Sequence, residues 1–182
     1  MKRVHLAILG LFALAGCESS NISSSSTEEA RLSSVSLSDA GVGRGDPTNP
    51  ASRFRTHLSG DEAGVATKAQ GQAAFHYQVR NGELHYRVNI SNIENVVGVH
   101  VHVAPPGENG PIVLPLLGNP FIEDPGVTPR GNFLRGTATD ADVTGEFAGD
   151  LAALVEAIRA GNTYLNVHTT KHRGGEVRGQ IN

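Results

Sequence analysis

The chain has 182 residues, 18 acidic against 15 basic side chains, a formal charge of −3 with histidines neutral, and a single cysteine. An acidic balance with no basic run excludes the electrostatic footprint expected of a nucleic-acid binder. One cysteine excludes an internal disulfide, so any folded part must hold by its core alone.

The amino terminus reads as a leader rather than as part of a fold. Lys2 and Arg3 precede an apolar run over residues 4–14, and Leu14-Ala15-Gly16-Cys17 follows. The run is too short for a membrane span, which needs roughly 20 apolar residues, and its order of charge, apolar stretch and small residues is that of a secretory signal. Leu-Ala-Gly-Cys resembles the lipobox of bacterial lipoproteins. That resemblance implies a signal peptide over residues 1–16, a diacylglyceryl group on Cys17, and a membrane contact made by acyl chains on the surface rather than by a span. Glu18 is not the aspartate that retains lipoproteins at the inner membrane, so the expected address is the outer membrane, facing periplasm or surface, in a host that has one. Removal of the leader lowers the basic residues from 15 to 13 against 18 acidic ones, a formal charge of −5.

Residues 17–52 are rich in serine, glycine and proline and poor in apolar clusters. Such a segment buries too little to offset its ordering entropy, and is expected to be a flexible tether. Arg44-Gly45-Asp46 within it matches an integrin-binding tripeptide, but three residues in a polar linker carry no argument.

From Phe54 onward the pattern is β. Residues 73–79 alternate, Asn81-Gly82 supplies the dipeptide of a tight hairpin, and residues 83–90 run back with Leu84, Tyr86, Val88 and Ile90 inward and His85, Arg87 and Asn89 outward. Strands are expected over residues 96–103 and 112–117. Residues 118–130, with Pro120, Pro125 and Pro129, form a loop, and a short strand covers 133–138. Thr139 or Asp140 can cap a single helical turn. Asp150 opens a helix whose Leu151, Leu154, Val155 and Ile158 make an apolar stripe, with Gly161 past its end. Residues 164–169 and 176–181 complete the strands. Residues 53–182 thus read as one mainly β domain, an antiparallel β-sandwich or barrel with one short late helix.

Three stretches resemble the CHRD (chordin) domain family: Phe54-Arg55-Thr56-His57-Leu58-Ser59-Gly60; His100-Val101-His102 followed by Gly107-Glu108-Asn109-Gly110-Pro111-Ile112-Val113; and the closing part with Asn166-Val167-His168-Thr169 and Gly174-Gly175-Glu176-Val177-Arg178-Gly179-Gln180. The resemblance runs from Phe54 to the end. It departs at Val103-Ala104-Pro105-Pro106, where the family has a small residue and glycine, and in the long proline-bearing loop from Gly118 to Asn132. It implies a β-sandwich-like module found in bacterial secreted proteins and in an animal growth-factor antagonist, with no established catalytic activity.

On a strand, His100 and His102 share one face while Val99, Val101 and Val103 share the other. The valines read as buried, and the imidazoles as either an exposed polar face or half of a metal site. Tyr164, Asn166 and His168 share a face of a later strand, so His168 is a candidate third ligand and His172 in the next turn a fourth, for copper or zinc. The opposing expectation is that these imidazoles bond loop backbone and fix an edge. The His-Val-His element resembles the copper strand of copper–zinc superoxide dismutase, but the bridging histidine and zinc loop are missing, so dismutation is not supported. His57, His76 and His85 read as exposed sheet residues, and Glu176 and Arg178, on one face of the last strand, as making a structural ion pair with neighbouring strands. Two functions lead: a lipid-anchored, non-catalytic envelope module engaging a protein or glycan, or an envelope protein that binds copper or zinc; a metalloenzyme is a third, which needs an open coordination position and a pocket that the residues do not reveal.

Overall fold

In the computed structural model residues 52–182 are described. The leader, Cys17, the tether up to residue 51 and the Arg-Gly-Asp tripeptide lie outside the described residues. Eight antiparallel strands form one sheet: β1 (Arg53–Ser59), β2 (Gln70–Gln78), β3 (Glu83–Ser91), β4 (Val96–Val103), β5 (Ile112–Leu117), β6 (Asn132–Ala138), β7 (Thr163–Thr169) and β8 (Val177–Gln180). Their spatial order is β5-β4-β7-β8-β1-β2-β3-β6, so the sheet curls nearly shut around the core. Two helices join them, α1 (Gly60–Ala63) and α2 (Leu151–Arg159). Among the described residues no helix is long and apolar enough to cross a membrane.

The sheet has two unlike halves. In β1 and β2 burial alternates residue by residue, placing Phe54, Leu58, Ala73, Phe75 and Tyr77 inward and leaving the other face to water. This is the one-sided burial of an ordinary antiparallel sheet. In β4 and β7 nearly every residue is buried, on both faces. Val99, Val101, Leu165 and Val167 meet Phe75, Leu84 and Val88 in the shared core, and the α2 stripe Leu151, Leu154, Val155 and Ile158 joins them. Aspartate makes α2 start where it does: Asp150 Oδ1 accepts the Ala153 N–H at 2.8 Å, satisfying an otherwise unpaired donor of the first turn. Gly161, at φ +71°, ends it in the left-handed conformation glycine adopts without strain.

Two details differ from expectation. The β2–β3 connection spans four residues between the paired Gln78 and Glu83, not a two-residue turn. The Asn81 N–H bonds the Gln78 carbonyl at 3.1 Å, and of Asn81 and Gly82 only the glycine has positive φ. Longer loops of this kind are commonly built around a type I turn, which needs no left-handed asparagine. Neither Glu176 nor Arg178 forms the expected ion pair with a neighbouring strand among the described residues. Glu176 instead accepts hydroxyls from Thr67 and Thr169, each at 2.8 Å. Arg178 lies over the Tyr164 ring, 3.5 Å from its centroid, and donates to Asn109 Oδ1 and the Glu108 carbonyl.

Candidate metal centre

The two-sided burial of β4 and β7 has a specific cause. Their second face is polar, and loops roof it. Antiparallel pairing sets His100 opposite Asn166, His102 opposite Tyr164, and Gly98 opposite His168. The imidazoles therefore sit on one face in neighbouring rows, with the valines turned into the core. The open polar face considered from sequence does not occur: His100, His102 and His168 are all buried.

Each ring is held by one backbone carbonyl from a different loop. His100 Nε2 bonds the Gly118 carbonyl at 3.1 Å, His102 Nδ1 the Gly110 carbonyl at 2.9 Å, and His168 Nδ1 the Arg173 carbonyl at 2.8 Å. A carbonyl can only accept, so each of these nitrogens carries the proton. The tautomers are thereby fixed, and the remaining nitrogen of each ring becomes a bare lone pair. Those nitrogens, His100 Nδ1, His102 Nε2 and His168 Nε2, are buried and have no hydrogen-bond partner among the described residues. One ligating nitrogen from each histidine lies within 4.8 Å of the others.

Burial also keeps the rings uncharged. It is the largest cause lowering the pKa of His100 to about 4, with the neighbouring His102 adding to it and the Gly118 carbonyl opposing it. His168 is likewise lowered to about 4, chiefly by burial, with the Arg173 carbonyl opposing. His102 is lowered by burial too, with the Arg178 guanidinium assisting. Three neutral imidazoles at neutral pH is the protonation state metal ligation requires.

The surroundings are aromatic. His102 stacks on Tyr164 with ring centroids 4.9 Å apart and planes within 11°. Phe121, from the proline-bearing loop, closes on His100 and His168 at 6.0 and 5.4 Å, and Arg173 caps Phe121 while pairing with Asp124 at 2.7 Å. Gly98 makes room for this cluster. A Cβ there would stand 2.7 Å from His100 Cε1 and 3.0 Å from both Phe121 Cδ1 and the Pro120 carbonyl oxygen. His172 occupies the turn after β7, half-buried, and is not one of the three converging residues. Its N–H bonds Thr169 Oγ1. His76 and His85 pair across β2 and β3 on the other half of the sheet, and His57 is exposed.

Sequence reasoning picked the three converging histidines but missed Gly98, Phe121 and the three carbonyls. Gly98 alone had a readable signal. A lone glycine inside a run of valines marks a close approach of neighbouring groups.

A nearly closed antiparallel sheet with a loop-roofed layer of imidazoles on one half defines a small β module with a buried polar centre. The CHRD domain family model matches residues 54–181, and the chain belongs to that family. No curated protein and no solved structure matches the chain.

Proposed function

We propose that this CHRD module binds one copper or zinc ion through His100, His102 and His168, and that it is held at the cell envelope by acyl chains on Cys17. Two observations carry the metal reading: each of the three rings has one orphaned buried nitrogen, and the three histidines each offer a ring nitrogen within 4.8 Å of the others. Were the histidines only structural, each buried lone pair would be left wanting, at roughly 1–3 kcal/mol apiece. A water in their midst has two hydrogens to give and three acceptors to meet. A cation meets all three. Imidazole donors suit copper and zinc, and zinc–nitrogen bonds of about 2.0–2.1 Å require the rings to close by up to about 1 Å. Carbonyls holding the far nitrogen of each ring are the usual outer support of a histidine ligand. Three protein ligands leave a position open to a further donor.

The test is a metal titration of the purified protein. One equivalent of copper or zinc is expected to bind, and to raise the melting temperature as any ligand of the native state does. His102→Ala, and Gly98→Ala through displacement of the His100 ring, are expected to lower the affinity by at least tenfold, about the loss typical of disturbed ligand support. Binding unchanged in both variants contradicts the reading. The anchor rests on the leader and the lipobox resemblance. Phase separation in detergent is expected to carry the wild type, but not Cys17→Ala, into the detergent phase; equal partitioning refutes lipidation.

A further inference from the structure

The opposite half of the sheet carries a feature unrelated to the histidine centre. Along β1, β2, β3 and β6 the outward residues fall into cross-strand rows. One row reads Arg55, Ala74, Arg87, Arg135 and the next Arg53, His76, His85, Thr137. Arg53, Arg55, Arg87 and Arg135 are all exposed. None of them pairs with a carboxylate among the described residues. Arg87 and Arg135 stand directly opposite each other, an arrangement that destabilises a sheet unless something else compensates. The only carboxylate that pairs with either row among the described residues is Glu83, 3.3 Å from His85 Nε2. The small Ala74 leaves the floor of the first row low, and a groove of about 620 Å³ crosses the strands there.

From this register we infer that the β1-β2-β3-β6 face is a binding site for an anionic polysaccharide, a chain bearing repeated sulfate, phosphate or carboxylate groups. Strands lie about 4.8 Å apart, so Arg55 and Arg87 stand roughly 10 Å from each other across Ala74, with Arg135 one strand beyond. That spacing suits successive charged groups of a chain laid across the strands better than one small ion. Guanidinium forks engage planar or tetrahedral oxyanions in pairs of hydrogen bonds. A bound anion would also relieve the Arg87–Arg135 repulsion. Two other polyanions fit less well. A membrane-seated face needs apolar side chains to insert, and the one large hydrophobic that is exposed among the described residues, Val127, is outside both rows. Single-stranded nucleic acid needs exposed aromatic platforms, whereas Phe54, Phe75 and Tyr77 of β1 and β2 point into the core.

The test compares four probes on the purified protein: dextran sulfate, neutral dextran, phosphatidylglycerol vesicles and a single-stranded DNA. Dextran sulfate is expected to bind at low salt, with affinity falling about tenfold or more between 50 and 300 mM sodium chloride as counterion release is suppressed. Arg87→Gln with Arg135→Gln, and separately Ala74→Glu, are each expected to weaken it by at least about tenfold. Ala74→Glu sets a carboxylate between Arg55 and Arg87, so its melting temperature should hold or rise, which separates lost binding from lost folding. Absence of dextran sulfate binding, equal binding by the variants, or tighter binding of neutral dextran, vesicles or DNA overturns the inference. Metal uptake is expected to be the same in these variants, because the histidine centre lies on other strands.

Discussion

Acidification from pH 7 to pH 4 is expected to destabilise the metal-free protein by several kcal/mol, and the histidine centre is the cause. His100 and His168 have folded pKa values of about 4 against the ordinary 6.5 that they regain on unfolding. Between those values the unfolded chain binds protons that the folded one refuses. Stability is therefore at its full value above pH 6.5, declines as pH falls through the window, and levels off below about 4. A shift of this size corresponds to roughly 3 kcal/mol per histidine, against total stabilities of about 5–15 kcal/mol for a domain. Urea denaturation at pH 7 and pH 4.5 reads the effect. His168→Asn keeps a donor near the Nδ1 position for the Arg173 carbonyl but cannot titrate, and should lose markedly less on acidification than the wild type. Parallel pH dependence in the two proteins excludes His168 as a source of it.

The second large effect concerns the seam between the halves. Only one residue pair, Ser59 with Arg178, registers β1 against β8, and the paired backbone bonds of Arg55 and Asn182 at 2.7 and 2.9 Å extend the join. Gly179 sits at that join. A Cβ there would lie well inside van der Waals contact of the His57 carbonyl oxygen and of Thr56 Oγ1. Alanine in a strand ordinarily gains stability over glycine. Here the obstacle is the backbone of the neighbouring strand, which can yield only by parting the seam. Gly179→Ala is expected to cost about 3 kcal/mol, the upper end for overpacking. Gly174→Ala is the control, since a Cβ there meets nothing within 4 Å and the φ is ordinary. It should be neutral or gain about 0.4–1 kcal/mol. Equal stabilities for the two variants would show that the seam opens at little cost.

Local periodicity carries its own elements well and says little about what loops cover. The strand expected over residues 96–103 matches β4, and the stripe Leu151, Leu154, Val155, Ile158 is the buried face of α2, because alternation and the 3.6-residue repeat are set by the residues themselves. The mainly β antiparallel domain with one short late helix, and its membership of the CHRD family, follow from such signals and motifs. The burial of His100, His102 and His168 was not legible. It depends on carbonyls of Gly110, Gly118 and Arg173 brought over by loops, 5 to 18 residues away along the chain. A polar face of a strand looks the same in sequence whether water or a loop lies above it. The arginine face escaped notice for a related reason. No two of its arginines are adjacent in sequence, and only the register of β1, β2, β3 and β6 gathers them. Absence of a basic run thus does not preclude a basic surface. The short helix α1, capped by Ser59, gave no periodic signal because four residues cannot make one.

The central claim is that three neutral imidazoles converge on one cation. X-ray absorption at the zinc edge, on protein loaded with one equivalent of zinc, measures this most directly. Three imidazole nitrogens at about 2.0–2.1 Å, with the outer-ring scattering of histidine, are expected in the wild type. Two are expected in His102→Ala. A shell of oxygens without imidazole scattering, or a spectrum that His102→Ala leaves unaltered, would contradict the account.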